Sequence, residues 1–190
     1  MKGDFTRSTF RPEKHYSGVR MQQGRVSLDA DWNEQGDIAA HRSDVATLDL
    51  IGEGGGARQH AGFALAVSAA ALPADQQEAA ASLEPLEPGD AFISAGRYYV
   101  DGILCENESP LTIGRQPDGG LGPLPSAAGV YLAYLDVWQR HLTALDDPGI
   151  LEVALGGPDT ATRTKTVWQL KLMIVEAGVM CGLDISVWAD

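Results

Sequence analysis

The dipeptide Asp101-Gly102, set between RYYV and ILCE, constrains the fold of this chain more than any other feature. A two-residue type I′ turn needs positive φ at both central positions, and Asp-Gly meets that need between alternating apolar residues. A hairpin is therefore expected at residues 97–106. Residues 91–113 as a whole read as a β-meander, with Ala95-Gly96 as its preceding turn. Two longer segments add to the β content. GVYLAYLDVWQRHLT (129–143) is apolar on both faces of an extended strand, and TVWQLKLMIV (166–175) repeats the pattern. Such runs are expected as central, buried strands, with Trp138 and Trp168 in the core.

The first region, residues 1–51, reads differently. Val19, Met21, Val26 and Leu28 sit at strand-like positions around Gly24, which suggests two short extended pieces and a turn. A helix then follows from Asp29 to Leu50. Ile38, Ala39, Val45 and Leu48 are spaced for one apolar face, Asp29 or Asp31 is the expected cap, and Gly52 the stop. Gly36 weakens the middle. Residues 52–90 are richer in Gly and Ala. GEGGG reads as a solvated loop, Phe63, Leu65 and Val67 alternate like a short strand, and Asp75–Ala81 reads as a short helix after Pro73. Residues 91–190 form a β-rich body, in which Asp146-Asp147-Pro148-Gly149 is a turn. The fold class expected is α+β, mainly β: an antiparallel sheet or small sandwich with one principal N-terminal helix. Two sub-domains divided in the Ala-rich stretch are an alternative.

Charge narrows the function classes. The 190 residues carry a net charge of −12, the wrong sign for a nucleic-acid binder. That charge is divided. Residues 1–28 hold Lys2, Arg7, Arg11, Lys14, Arg20 and Arg25 against Asp4 and Glu13, a net of +4, and the remainder carries −16. A basic arm on an acidic body either folds back on that body or meets an acidic partner. No apolar run is long enough for a transmembrane helix, and MKGDFTRSTF lacks the apolar core of a Sec signal.

Chemistry-bearing motifs are sparse. Cys105 and Cys181 are read as buried hydrophobes. His15, His41, His60 and His141 stand alone. Asp29-Ala30-Asp31-Trp32-Asn33 opens like a calcium loop, but Glu34 and Ala40 occupy the places that need Gly and Glu, so helix capping is the better account. GEGGG lacks the Lys-Ser/Thr of a phosphate loop, and Ser94 lies in no nucleophile elbow. Neither a cofactor nor a metal nor catalysis is expected. Trp32, beside Asn33 at the helix start, reads as a docking anchor.

The block KHYSGVRMQQGRVSLDADWNEQ, Lys14 to Gln35, resembles a domain of unknown function at the N-terminus of proteins encoded in phage-tail-like contractile injection gene clusters. LEVALGGPDTATRTKTVWQL, Leu151 to Leu170, is similar to a later motif of the same family. The GRVSLDADWNE pattern is more distantly similar to the turn-and-helix opening of phage tail and baseplate fibre proteins. The resemblance implies a structural module that anchors a larger protein to a tail-like particle. It implies partners among the other particle subunits, a symmetric assembly, and formation in the cytoplasm before release. Members are usually longer, so the apolar end VMCGLDISVWAD is expected to continue. Combined with the charge division, the expectation is that Lys14, Arg20, Arg25, Trp32 and Asn33 dock on an acidic neighbouring subunit. The alternatives are a cargo or effector protein of such a particle, and a carbohydrate- or cell-surface-binding module using Tyr98 and Tyr99.

Overall fold

A computed structural model describes residues 3–59, 61–118 and 127–175. His60, Cys181, Trp188, the turns expected up to Pro125 and the apolar C-terminal run lie outside the described residues. The chain is α+β and mainly β. Among the described residues two α-helices, α1 (Asp29–Ile51) and α2 (Gln77–Ala81), accompany eight strands: β1 (Gly54–Gly55), β2 (Leu65–Ala66), β3 (Phe92–Ile93), β4 (Gly96–Val100), β5 (Ile103–Asn107), β6 (Leu111–Thr112), β7 (Val130–Leu142) and β8 (Arg163–Val175). They form three antiparallel sheets among the described residues, ordered β1-β4-β5, β2-β3-β6 and β7-β8. Contacts divide the chain into two units, each discontinuous in sequence. One comprises Met1–Gly56, Tyr98–Cys105 and Gln139–Thr166. The other comprises Ala57–Arg97, Glu106–Trp138 and Val167–Asp190, and it holds all of the Ala-rich stretch.

In the first unit α1 runs unbroken through Gly36. Its N-cap is Leu28, which offers no side-chain bond, so neither Asp29 nor Asp31 caps it. Both carboxylates still favour the positive end of the helix dipole from the first turn. Gly52, at φ +90, ends the helix with its N–H on the Leu48 carbonyl at 2.8 Å. The buried stripe is narrower than the periodicity predicts. Ala30 and Ile38 are buried, while Ala39 and Val45 are exposed. No strand forms at Val19–Leu28. Gly24 turns the chain at φ +72 as expected, but Val26 is exposed and the backbone there joins no ladder.

The Asp-Gly turn has the expected geometry, with Asp101 at φ +49 and Gly102 at φ +82. Its tip sits against α1, where a Cβ on Gly102 would run into the Asp44 backbone carbonyl. GEGGG is not a free loop. Gly54 and Gly55 pair with Val100 and Tyr99 as the edge strand of that sheet, and the Asp101 N–H reaches the Glu53 carbonyl at 2.8 Å. A Cβ on Gly55 would meet Ile51 Cγ2 at 2.6 Å, so glycine lets the helix end and the strand begin in so few residues.

In the second unit the meander does not form. β3 pairs with β2 and β6 instead of with β4. Phe92 and Ile93 are buried on both faces of this central strand, and Ala66, Ala69, Leu72 and Ala80 pack with Phe92. The short alternating segment contributes only β2, with Leu65 and Val67 exposed and Ala66 inside. Phe63 takes φ +66 and sets its ring edge-on to Trp168, 4.7 Å between centroids. Trp168 Nε1–H donates to the Glu106 carbonyl at 2.8 Å. Side-chain amides bond backbone groups that the short strands do not pair. Gln116 accepts from Leu170 N–H at 2.6 Å and donates to the Leu170 and Ile113 carbonyls at 2.9 and 3.0 Å. Gln76 bonds both backbone groups of Ala95. Trp168 is a core residue as expected, but Trp138 is 36% exposed and no residue of β7 is fully buried. A two-stranded ribbon gives neither strand the two neighbours of a central strand.

Two measurements follow. Gly102→Ala places a Cβ in left-handed backbone and against Asp44, and is expected to destabilise by about 2 kcal/mol or more in urea unfolding. Gln116→Ala leaves the Leu170 N–H and C=O without partners in the interior and is expected to cost about 1–3 kcal/mol for each orphaned group, read as a lowered Tm.

Candidate functional site

The N-terminal arm lies along α1 through hydrogen bonds supplied by the helix's polar side chains. Asp29 accepts from the Thr6 N–H at 3.0 Å and from its hydroxyl. Glu34 accepts from Thr9 Oγ1 at 2.6 Å, and Gln35 Oε1 from the Val19 N–H at 2.8 Å. Phe10 tilts against His41 at 5.6 Å between ring centroids. The Thr6 hydroxyl, then its N–H, holds the Asp29 carboxyl below the usual carboxylate range. This carboxylate, which opens the calcium-like run, is thus spent on the arm. Among the described residues no group of three or more His, Cys, Asp or Glu is placed to hold a metal ion.

The arm and the first turns of α1 enclose a cleft of about 540 Å³. Trp32 and Asn33 line it, and so do Arg7 from the arm, Asp37 one turn further along the helix, and Thr162. Trp32 is 70% exposed. Asp37 has its carboxyl pushed up, first by burial and then by the charge of Glu34 beside it. A second cleft of about 410 Å³ lies further along the helix, between His15 and Tyr16 on one side and His41, Arg42 and Asp49 on the other.

Of the five residues expected to dock a partner, the structure brings only Trp32 and Asn33 together. Lys14, Arg20 and Arg25 are exposed and line neither cleft. Lys14 closes a short 3-10 turn, Pro12–Lys14, with its Nζ 5.7 Å from the Tyr16 ring centroid. Arg20 and Arg25 flank the Gly24 turn. DUF6519, a family of unknown function, matches residues 1–182. The chain belongs to that family. No curated protein and no solved structure matches it.

Several other chemical candidates in this DUF6519 chain are accounted for by packing. Cys105 is fully buried, and burial pushes its thiol up to about 11, so it stays protonated. The Ser94 hydroxyl accepts from the Ala64 N–H at 2.9 Å inside the β3 region. Tyr98 and Tyr99 are consecutive and half-buried on β4, so they point to opposite faces and form no coplanar platform. The second family-like block begins as a closed loop. Glu152 caps Ala154, its N–H donates to the Pro158 carbonyl at 3.0 Å, and Gly156 and Gly157 take positive φ. No helix among the described residues is long and apolar enough to cross a membrane.

Arg7 and Asp37 line the cleft without being among the expected docking residues. Asp37 stands four residues after Asn33 and so on the same helical face, a signal present in the sequence. Arg7 and Thr162 carry no such signal, because only tertiary folding brings them to the helix. Thr6→Val is expected to return the Asp29 carboxyl part of the way towards its ordinary range, followed by carboxyl NMR across a pH titration. A carboxylate lowered in the folded state contributes stability above its unfolded pKa and loses it as pH falls through the folded value. The wild-type chain should therefore lose more stability than Thr6→Val on acidification.

Proposed function

We propose that this DUF6519 chain is a structural attachment module of a phage-tail-like contractile injection particle, assembled in the cytoplasm and carried on the particle, with no catalysis of its own. The observation that carries the reading is the arm itself. Its hydroxyls and backbone are tied to α1, and its cationic side chains Lys14, Arg20 and Arg25 remain exposed. The arm folds back on its own helix through neutral groups, which supports the reading by leaving its positive charge available to an acidic neighbour. The likeness of Lys14–Gln35 to tail-associated domains supplies the kind of neighbour, another particle subunit.

Deleting residues 1–28 would also strip Thr6, Thr9 and Val19 from α1, so the cleaner variant changes charge alone. Arg20→Glu/Arg25→Glu is expected to abolish co-purification with the sheath and baseplate subunits of the same gene cluster at physiological salt, with the circular dichroism spectrum unchanged. Raising the salt should weaken wild-type association as exposed charges are screened. Co-purification of the double variant at the wild-type level would sink the reading.

A further inference from the structure

The cleft between the arm and the start of α1 has a lining that the attachment role does not use. We infer that it is a binding site for a neutral saccharide, with the Trp32 indole as the platform for one sugar ring. Trp32 and Asn33, expected from the sequence to dock a subunit, are reassigned here to the cleft, while Lys14, Arg20 and Arg25, the cations that carry the attachment reading, line no part of it.

Size comes first. A volume of about 540 Å³ lies within the ~300–1,000 Å³ of small-molecule sites, which admits one or two hexose rings. Charge comes second. Arg7, Glu34 and Asp37 line the same space, so an anion meets two carboxylates and a cation meets a guanidinium. Glu34 is already engaged by Thr9 at 2.6 Å, and the upward shift of Asp37 shows a carboxyl partly withdrawn from water beside a like charge. Neither sign of ligand finds a matched site.

Hydrogen-bonding type comes third. Arg7 only donates, the Asp37 carboxylate only accepts, and Asn33 and Thr162 do both. A purely apolar ligand would strand these groups without water or partners, at a penalty for each. A polyol, whose every hydroxyl both donates and accepts, satisfies them. The remaining element is Trp32, a large apolar side chain left 70% exposed at the cleft. Its flat face suits the C–H face of a pyranose, while the ring hydroxyls reach Asn33 and Asp37 on the same side of the helix.

The test is a titration of the full chain with maltotriose, cellotriose, chitotriose and lactose, followed by calorimetry and by the Trp32 indole N–H resonance in 1H–15N spectra. At least one saccharide is expected to shift that resonance saturably, and Trp32→Ala to weaken its binding about tenfold or more. Trp32 is exposed, so the variant should keep the wild-type Tm; Asn33→Ala, also at an exposed position, should weaken binding as well. Glucuronate and glucosamine serve as charged competitors. No binding by any of the four, binding that survives Trp32→Ala, or preference for either charged sugar would overturn the inference. Arg20→Glu/Arg25→Glu should bind saccharide like the wild type, and Trp32→Ala should still co-purify with particle subunits, so failure of one reading leaves the other standing.

Discussion

Half of the strands among the described residues are too short to satisfy their own backbone, and side chains supply further hydrogen bonds. Four of the eight strands have only two residues, so few ladder bonds are available. Buried N–H and C=O groups must still find partners. Side-chain amides supply them in both units: Gln35 takes the Val19 N–H, Gln76 takes both backbone groups of Ala95, and Gln116 takes both of Leu170. A glutamine amide carries a donor and an acceptor side by side, so it imitates a neighbouring strand at one point without extending a sheet. Trp168 and Ser94 serve in the same way with single bonds. This arrangement lets the described residues of a mainly β chain form three small sheets.

The same constraint shapes the exposed face of α1. An arm held by a continuous strand would need a sheet edge beside it. An arm held by Asp29, Glu34 and Gln35 needs only three points of attachment. Between those points the backbone is free to stand off from the helix, and the space left over at Trp32 and Asp37 is the cleft. Because the attachments use hydroxyls and amides, none of the arm's charge is consumed by them. The exposed basic side chains and the cleft thus come from one structural device.

Legibility followed the range of the interactions. The Asp101-Gly102 hairpin, the Gly52 stop, the Gly24 turn and α2 depend on backbone preferences within a few residues, and each was readable. The periodicity of α1 places Ile38, Ala39, Val45 and Leu48 on one apolar face, yet Ala39 and Val45 are exposed. The arm instead covers the polar side chains near the N-terminus and leaves Val45 in solvent. The expected meander does not form because β3 and β4, adjacent in sequence, belong to different sheets. The apolar character of its segment predicts Trp138 in the core, but a two-stranded ribbon offers less burial than that segment would accept.

Local sequence determined the principal helix, the hairpin with its positive-φ turn, the division of charge at residue 28 and the absence of a spaced metal or nucleophile motif. Those follow from steric limits on φ and ψ and from composition, which need no partner. Tertiary structure alone decided that two glycines form an edge strand, that Asp29 binds the arm instead of capping its helix, and that Arg7 and Thr162 meet Trp32, Asn33 and Asp37 across one cleft. The physical reason is that these depend on which distant groups are left to satisfy one another's hydrogen bonds, a quantity fixed only once the whole chain has folded.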